Sequence, residues 1–306
     1  MALRPYVCIK RMVWPKVRNI FSRIFMDETL KIDQHELITQ RFFLNPIRVT
    51  IHHEEWLNNV IKAIFEYKAG TFLDVGANVG QTMLKVVLFD RERQYIGFEP
   101  HVAGCLIIEQ FIKRNRLSNY QILPVALGNK NGLAKLLFRG VNSSIVVSSS
   151  ASLVEGFRPD SFYSDAKFVY FAKGDDIIQD LGLSAISVIK IDVEGGEIEV
   201  VEGLKDSIDI YMPFILFEVL PHYLAITDER LDEDMTAFRT RRIGRLEHIL
   251  REAGYTIYQI WSGTELRRVS HIDPGTTPGL SKADYLAVPG SEEDDFLRVF
   301  EAVSTP

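Results

Sequence analysis

The strongest candidate for chemistry in this sequence is a loop that combines glycines with one acid and one amide. Its residues are, in order, Asp74, Gly76, Asn78 and Gly80. An apolar run precedes the loop and a segment with helical periodicity follows it, so the loop joins a buried strand to a helix. Such a turn places a small ligand at the carboxyl edge of an open α/β sheet. A carboxylate and an amide, rather than bare amides or a lysine, suit a ligand with a positive charge and an amino-acid end.

A second acid, Glu99, ends the next predicted strand and is followed by Pro100. A carboxylate at the tip of the second strand can accept both hydrogens of a ribose diol. Two cofactors fit these features, a dinucleotide and S-adenosylmethionine. The loop between Gly76 and Gly80 has the form Gly-x-Asn-x-Gly instead of Gly-x-Gly-x-x-Gly, and this is less suited to the close approach of a pyrophosphate. S-adenosylmethionine is therefore the favoured cofactor.

Candidate catalytic residues follow two later strands. Asp192 and Glu194 come after the first of these strands, and Glu218 and His222 come after the second. A reaction that removes a proton from its substrate needs a group that takes this proton, and the ordinary pKa of histidine suits that work near neutrality.

Each candidate has a structural alternative. Asp192 could orient the methionine end of the cofactor, Glu194 could cap the next helix, Glu218 could bond backbone amides, and His222 could be structural. Asp192, Glu194 and Glu218 could also chelate a divalent ion such as magnesium, but acid clusters equally hold cationic substrates, so no metal site is predicted.

A pair of adjacent histidines precedes two acids in the segment His52-His53-Glu54-Glu55. Neighbouring histidines in a strand point to opposite faces, and no third ligand follows at helical spacing, so a metal site is not favoured. Contact of Glu54 or Glu55 with the cofactor or substrate is the better interpretation.

The elements that must position these residues alternate between short strands and helices. A helix over 54–67 comes first, because its apolar residues fall at helical spacing. The order that follows is strand 71–75, helix 80–90, strand 94–99, helix 102–115, strand 120–125, strand 186–193, helix 196–207, strand 214–219, helix 229–253, strand 255–260 and strand 285–288. This alternation predicts a doubly wound, mostly parallel α/β sheet.

Two regions depart from this rhythm. Residues 1–53 predict a partly helical extension or cap ahead of a domain over 54–306. Residues 128–175 predict an insertion with strands at 133–138 and 167–172, joined by a serine-rich stretch. That stretch is either a surface loop or a lid over the cofactor.

Bulk properties narrow the class of protein. The chain has 306 residues, 46% of them hydrophobic and 25% charged, and a net charge of −6. The acidic balance argues against a nucleic-acid surface. Cys8 and Cys105 form no disulfide framework, so a reducing, cytoplasmic location is expected. No apolar run reaches the length of about 18 residues that a spanning helix needs. The basic N-terminus leaves peripheral membrane contact as an alternative to a solvated face. The sequence does not indicate an oligomeric state.

Together the motifs resemble the FkbM family of S-adenosylmethionine-dependent methyltransferases. The resemblance extends from about residue 54 to residue 290, in the family's order. It is carried by the segments Asp74–Gly80, Phe98–Pro100, Val125–Gly128 with Gly132, Val188–Glu197 and Asp284–Pro289. It implies a class I methyltransferase fold with seven strands, the last of them antiparallel. It also implies O-methylation of a hydroxyl on a sugar, glycan or secondary metabolite.

The resemblance assigns roles by position. It places Asp74, Gly76, Asn78 and Gly80 in the cofactor loop. Glu99, with Pro100 beside it, would hold the ribose hydroxyls, and Ala126 and Leu127 would lie beside the adenine. Asp192 and Glu194 match the acidic motif after the fourth strand. Pro124 departs from the polar residue expected before the adenine contact.

Two other functions stay open at this stage. One is methylation of RNA or protein, although the segment after the fourth strand lacks an Asn-Pro-Pro-Tyr-type motif. The other is a catalytically silent scaffold that keeps the cofactor fold.

Overall fold

The computed structural model describes residues 25–32, 35–42, 54–139, 150–224, 229–230, 232–274 and 280–305. The strands are β1 Phe25–Ile32, β2 His35–Phe42, β3 Thr71–Val75, β4 Tyr95–Phe98, β5 Tyr120–Leu123, β6 Ala126–Gly128, β7 Gly132–Phe138, β8 Asp165–Lys173, β9 Ile186–Ile191, β10 Phe214–Glu218, β11 Tyr223–Leu224, β12 Glu229–Arg230, β13 Tyr255–Ser262, β14 Glu265–Arg268 and β15 Asp284–Pro289. The helices are α1 Leu57–Tyr67, α2 Gln81–Phe89, α3 Val102–Arg114, α4 Gly174–Leu181, α5 Glu197–Gly203, α6 Lys205–Tyr211, α7 Glu233–Glu252 and α8 Glu293–Ser304.

The central sheet has eight strands in the order β14-β13-β15-β10-β9-β3-β4-β5. Within this sheet, the five neighbouring strands β10, β9, β3, β4 and β5 run parallel to one another. Strand β15 is antiparallel to both β10 and β13. This confirms the doubly wound α/β fold with an antiparallel last strand. The eighth strand, β14, is an addition to the seven that were predicted, and it pairs with β13 as an edge hairpin.

The strand order reverses between β3 and β9, because β4 and β5 lie to one side of β3 and β10 lies beyond β9. At such a reversal the loops leaving neighbouring strands diverge and open a crevice at the carboxyl ends. Every residue of β3 and β9 is buried, as both faces of a parallel sheet require. Phe72 packs in the core with α1, α2 and α8, whereas Leu73 packs in the core on the opposite face.

The insertion forms a separate three-stranded sheet in the order β6-β8-β7. The two strands predicted within it are therefore confirmed, with slightly wider bounds. Most of the serine-rich stretch, residues 140–149, lies outside the described residues, and the lid hypothesis lies outside them too. Ser152 at its end is buried and bridges to Leu137 of β7.

The sequence predicts a partly helical extension over residues 1–53, and the two parts of it that the structure describes are strands. Residues 25–32 and 35–42 pair as the antiparallel hairpin β1–β2. The apolar residues Met26, Leu30 and Ile32 are separated by even numbers, so they fit the two-residue period of a strand as well as a helix.

Two predicted helices also change their bounds. The helix predicted over 196–207 divides into α5 and α6, and the one predicted from 229 begins at Glu233 because Asp232 caps it. The side chain of Asp232 accepts a hydrogen bond from the Met235 amide at 2.7 Å. Among the described residues, no helix is long and apolar enough to cross a membrane.

Candidate active site

A cavity of about 810 Å³ opens at the carboxyl ends of the central strands. It gathers residues that are far apart in the sequence, as the reversal of strand order predicts. The predicted site residues that line it are Gly76, Asn78, Glu99, Pro100, Ala126, Leu127, Asp192, Glu194 and Glu218. Asp74, Gly80 and His222 are not among its lining residues.

The glycine loop is held tightly between the ends of β4 and β9. The amides of Gly76 and Ala77 both donate to the Phe98 carbonyl, at 2.9 and 3.1 Å. Gly76 has a φ of +90°, and a Cβ atom at this position would lie 1.9 Å from the Asp192 carbonyl oxygen. Only glycine fits here, both for its backbone angle and for the close approach.

Asp74 lies behind this loop instead of in the cavity wall. Its carboxyl is fully buried and accepts a hydrogen bond of 2.6 Å from the Tyr95 hydroxyl. Burial raises the pKa of Asp74 to about 6, although Lys190 on the neighbouring strand opposes that rise. The structure therefore places Asp74 as a support for the loop.

Glu99 is a buried carboxyl at the tip of β4. Its two oxygens accept the backbone N–H groups of Asn78 at 2.8 Å and of His101 at 2.7 Å. Burial raises the pKa of Glu99 to about 7, and these two hydrogen bonds limit the rise. Each oxygen keeps a second lone pair, so the carboxylate form can still receive two hydroxyl hydrogens.

The apolar end of the cavity is formed by β6 together with β7 and β8 of the inserted sheet. Ala126 and Leu127 are buried there and line the cavity. Phe171 of β8 and Leu136 of β7 complete the wall, and sequence analysis missed both because nothing in the sequence shows which face of the insertion turns inward. Pro124, which departs from the family's pattern, is exposed and is not a lining residue.

A buried lysine stands among the acids at the end of β9. Lys190 Nζ lies 2.9 Å from a carboxylate oxygen of Asp192, and the Asp192 amide donates to the Val75 carbonyl. Burial by itself would lower the pKa of Lys190. The carboxylates of Asp192, Glu54 and Asp74 outweigh burial and hold that pKa well above its ordinary value. Asp192 is therefore oriented at the cavity wall by a permanent cation.

Glu194 is fixed by an ion pair with Arg158, which comes from the segment before β8. The Ser152 hydroxyl donates to the Glu194 carbonyl at 2.8 Å. Burial raises the pKa of Glu194 to about 7 against the opposing charge of Arg158. At the start of the helix that follows, Gly196 is the N-cap residue, and the Glu194 carboxylate pairs with Arg158.

A second group of polar residues lines the other side of the cavity, between β10, β15 and the start of α1. The Trp56 indole Nε1 donates to Asp284 at 2.6 Å, and Glu218 lies directly opposite Asp284 across the two strands. Glu54 joins this side, and its carbonyl accepts a hydrogen bond of 3.0 Å from the buried ammonium of Lys85. Sequence analysis missed Trp56 and Asp284. The only signal for Asp284 was its place at the start of the Asp284–Pro289 motif.

His222, one of the four candidates for the base, is not among the residues that line the cavity. Its amide donates to the Pro274 carbonyl at 3.4 Å, and the charges of Arg239 and Asp273 act on its ring. Burial and the charge of Arg239 lower the pKa of His222.

No metal site is found in the described part of the chain. Among its His, Cys, Asp and Glu side chains, no group of three or more could hold a metal ion. The magnesium alternative at Asp192, Glu194 and Glu218 is therefore not supported, and His52 and His53 lie outside the described residues.

Three residues at the cavity share an unusual backbone conformation. Glu54, Asn78 and Glu194 have φ angles of 50°, 51° and 54°. Side chains other than glycine rarely adopt this left-handed region, and such strain concentrates at functional sites. The strained backbone here supports the assignment of the cavity as the active site.

The sequence profile of the methyltransferase FkbM domain matches residues 74–257. Methyltransferase FkbM from Methylobacillus flagellatus KT is 15% identical, with a TM-score of 0.42, and the match covers 72% of this chain and 43% of that chain. This chain thus spans less than half the length of that protein. No curated protein matches the chain.

The chain is also similar to two further solved structures. Cofactor-bound Rv0187 from MTB is 11% identical, with a TM-score of 0.42, and the match covers 80% of this chain and 83% of that chain. The methyltransferase PaMTH1 from Podospora anserina, bound to S-adenosylhomocysteine, is 9% identical, with a TM-score of 0.37 and coverage of 94% and 98%. Because the FkbM profile covers more than half of the 306 residues, the chain belongs to the FkbM family of S-adenosylmethionine-dependent methyltransferases.

Proposed function

We propose that this protein transfers a methyl group from S-adenosylmethionine to a hydroxyl of a sugar, glycan or secondary metabolite. The observation that carries the proposal is that acids from three separate strand ends line one cavity. They are Glu99, which lies beside Asn78 of the glycine loop, Asp192 and Glu218.

The cavity offers a distinct place for each part of the methyl donor. The Glu99 carboxylate would receive the ribose hydroxyls, since both of its oxygens keep a lone pair. Ala126, Leu127 and Phe171 would enclose the adenine in an apolar slot. The glycine loop and Asp192 would hold the amino-acid end, because a carboxylate attracts its ammonium group.

The side of the cavity around Trp56, Glu218 and Asp284 would then receive the acceptor. The bound donor supplies an electrophilic methyl group. The chain's own contribution is to hold the acceptor hydroxyl in line with that group, exclude water and remove the hydroxyl proton. A carboxylate on this side can accept that proton.

The charge of the lining favours a small acceptor over nucleic acid. Eight acidic residues line the cavity, namely Glu54, Glu99, Glu155, Asp192, Glu194, Glu199, Glu218 and Asp284. In the described part of the chain, three basic residues accompany them, namely Lys130, Lys135 and Lys190. Nucleic-acid binding depends on cationic side chains that neutralise phosphates, so this surface is poorly matched to RNA.

Two measurements test the proposal. Titration calorimetry with S-adenosylhomocysteine should show binding by the full chain. Incubation with radiolabelled S-adenosylmethionine and a panel of sugars, glycans and hydroxylated metabolites should label a product that is lost in Asp192→Ala. Glu109→Ala, an exposed position on α3, serves as the control. Absence of S-adenosylhomocysteine binding would refute the proposal, and labelling of RNA or protein alone would replace the acceptor class.

A further inference from the structure

Glu218 and Asp284 form a close pair of carboxyls in the cavity wall. They are direct partners in the antiparallel pairing of β10 with β15. The Val219 amide donates to the Ala283 carbonyl at 2.7 Å, so the hydrogen-bonded pair is the next one along. Glu218 and Asp284 therefore occupy the narrow type of pair, in which Cα atoms lie about 4.5 Å apart and side chains share one face. Both side chains line the cavity.

Two carboxyls this close in a buried wall do not ionise together, because the second negative charge is repelled by the first. The pair then holds one proton near neutral pH. The surroundings of each residue decide which one keeps it.

Asp284 is the better placed of the two to carry the negative charge. The Trp56 indole donates to it at 2.6 Å, and Lys190 lies near enough to stabilise an anion. The negative charges of Glu54 and Asp192 act against ionisation of Asp284. Burial and Glu54 raise the pKa of Asp284 to about 7, and the Trp56 hydrogen bond limits the rise.

Glu218 is the better placed to keep the proton. Asp192, Glu194 and Asp284 all act on it with negative charge, and Lys190 alone opposes them. Among the described residues, no side chain donates to Glu218 as Trp56 does to Asp284. Burial, followed by these three carboxylates, holds the pKa of Glu218 well above its ordinary value.

We propose that Asp284, oriented by the Trp56 indole, takes the proton from the acceptor hydroxyl, while Glu218 beside it stays protonated. This inference rests on the proposed function. The sequence left the choice of base open among Asp192, Glu194, Glu218 and His222. Asp284 and Trp56 are two additions to that set.

The proposed step balances without a further reactant. The acceptor oxygen forms a bond to the methyl carbon as the carbon–sulfur bond breaks, and that bond's electron pair goes to sulfur. The hydroxyl proton goes to a carboxylate oxygen of Asp284, which later returns it to water. Glu218, as a neutral acid, donates a hydrogen bond within the wall and adds no second negative charge.

The first test measures protonation and needs no acceptor. The full chain is labelled with carboxyl ¹³C in aspartate and glutamate, and the signals are assigned with Asp284→Asn and Glu218→Gln. The proposal expects Glu218 to remain a neutral acid at pH 7 and Asp284 to titrate near that pH. An ionised Glu218 at pH 7, or an Asp284 that stays protonated up to pH 9, overturns it.

The second test compares the same two isosteric variants in methyl transfer, with radiolabelled S-adenosylmethionine and the acceptor that the panel identifies. Glutamine resembles a protonated glutamic acid, so Glu218→Gln should lower kcat by at most about tenfold. Asp284→Asn removes the proton acceptor and should lower kcat at least about 100-fold, within the usual range for general-base catalysis. An equal loss in both, or the reverse order, overturns the proposal.

A third variant tests the positioning role of Trp56. Trp56→Phe removes the indole N–H from Asp284 and should shift the acidic limb of the kcat profile to higher pH by about half a unit or more. An unshifted limb contradicts this role. S-adenosylhomocysteine should bind wild type and all three variants alike. If wild type does not bind S-adenosylhomocysteine, the proposed function is refuted. If Asp284→Asn binds S-adenosylhomocysteine and is as active as wild type, only the proton transfer is refuted.

Discussion

At the scale of single residues, the proposed donor binding depends most clearly on Glu99. Both of its oxygens already accept backbone N–H groups, from Asn78 and His101. In a glutamine at this position, the side-chain NH₂ group would therefore face one of these N–H groups, and two donors would meet. We expect Glu99→Gln to weaken S-adenosylhomocysteine binding by about 10- to 100-fold, the equivalent of roughly 1 to 3 kcal/mol for lost hydrogen bonds to a charged group. Calorimetry measures this, with Glu109→Gln as the exposed control. Unchanged affinity in Glu99→Gln would remove Glu99 from the donor site.

The raised pKa of Glu99 adds a pH dependence to the same contact. Its pKa is about 7 in the folded chain, so the carboxylate that accepts hydroxyl hydrogens is lost as the pH falls through that value. We expect the affinity for S-adenosylhomocysteine to decrease from pH 8 to pH 6 in wild type. The decrease should be smaller in Glu99→Gln, which has no carboxyl at this position. A pH dependence equal in both proteins would assign it to another group.

At the scale of elements, the loop after β3 depends on how closely it approaches β9. In Gly76→Ala the new Cβ would meet the Asp192 carbonyl, whereas in Gly254→Ala, at a nearly equal φ of +86°, it would meet open space. The control should cost about 1 kcal/mol from backbone strain alone. Gly76→Ala should cost several times more in urea unfolding and abolish S-adenosylhomocysteine binding. Equal costs would show that the close approach is unimportant.

The inserted sheet contributes one face to the cavity and exposes the other. Phe171 is buried and lines the cavity, whereas Phe168, three residues earlier on β8, is 74% exposed. We expect Phe171→Ala to weaken S-adenosylhomocysteine binding by about tenfold or more through lost apolar contact. Phe168→Ala should leave that affinity unchanged. If the two variants bind equally well, the adenine does not lie against this sheet.

At the scale of the whole molecule, the buried acids set an unusual pH dependence of stability. Burial raises the pKa of Asp74 to about 6 and those of Glu99, Glu194, Glu197 and Asp284 to about 7. In the unfolded chain such groups titrate near pH 4. Between about pH 4.5 and 7 the folded chain therefore holds more protons, and the free energy of unfolding falls as the pH rises.

Urea unfolding at pH 5, 6, 7 and 8 measures this effect. Each proton held only by the folded chain contributes a slope of roughly 1.4 kcal/mol per pH unit. His222 acts in the opposite direction, because its lowered pKa means that the unfolded chain holds a proton there that the folded chain lacks. S-adenosylhomocysteine should restore part of the lost stability at pH 7 because it binds the folded chain only. A free energy of unfolding that rises steadily from pH 5 to pH 7 would contradict the assigned pKa shifts.

The order of elements and the motif loops were predictable from local sequence. The apolar run of β3, the turn glycine Gly76 and the helical period of α2 are local features, and they predict strand, loop and helix without reference to the rest of the chain. The hairpin β1–β2 was not predicted, because short apolar spacings fit both a helix and a strand until pairing decides.

The sequence by itself determined which parts could bind a donor, because Gly76, Asn78 and Glu99 sit at strand ends whatever surrounds them. Only the tertiary structure decided which of the other acids share the wall. Asp284 joins Glu218 through an antiparallel pairing across 66 positions of sequence, and Trp56 reaches Asp284 from ahead of the first core strand. His222 comes only four positions after Glu218, yet it is not among the residues that line the cavity. Proximity in a wound sheet follows strand pairing and not sequence distance, so the protonation states that depend on proximity are properties of the fold.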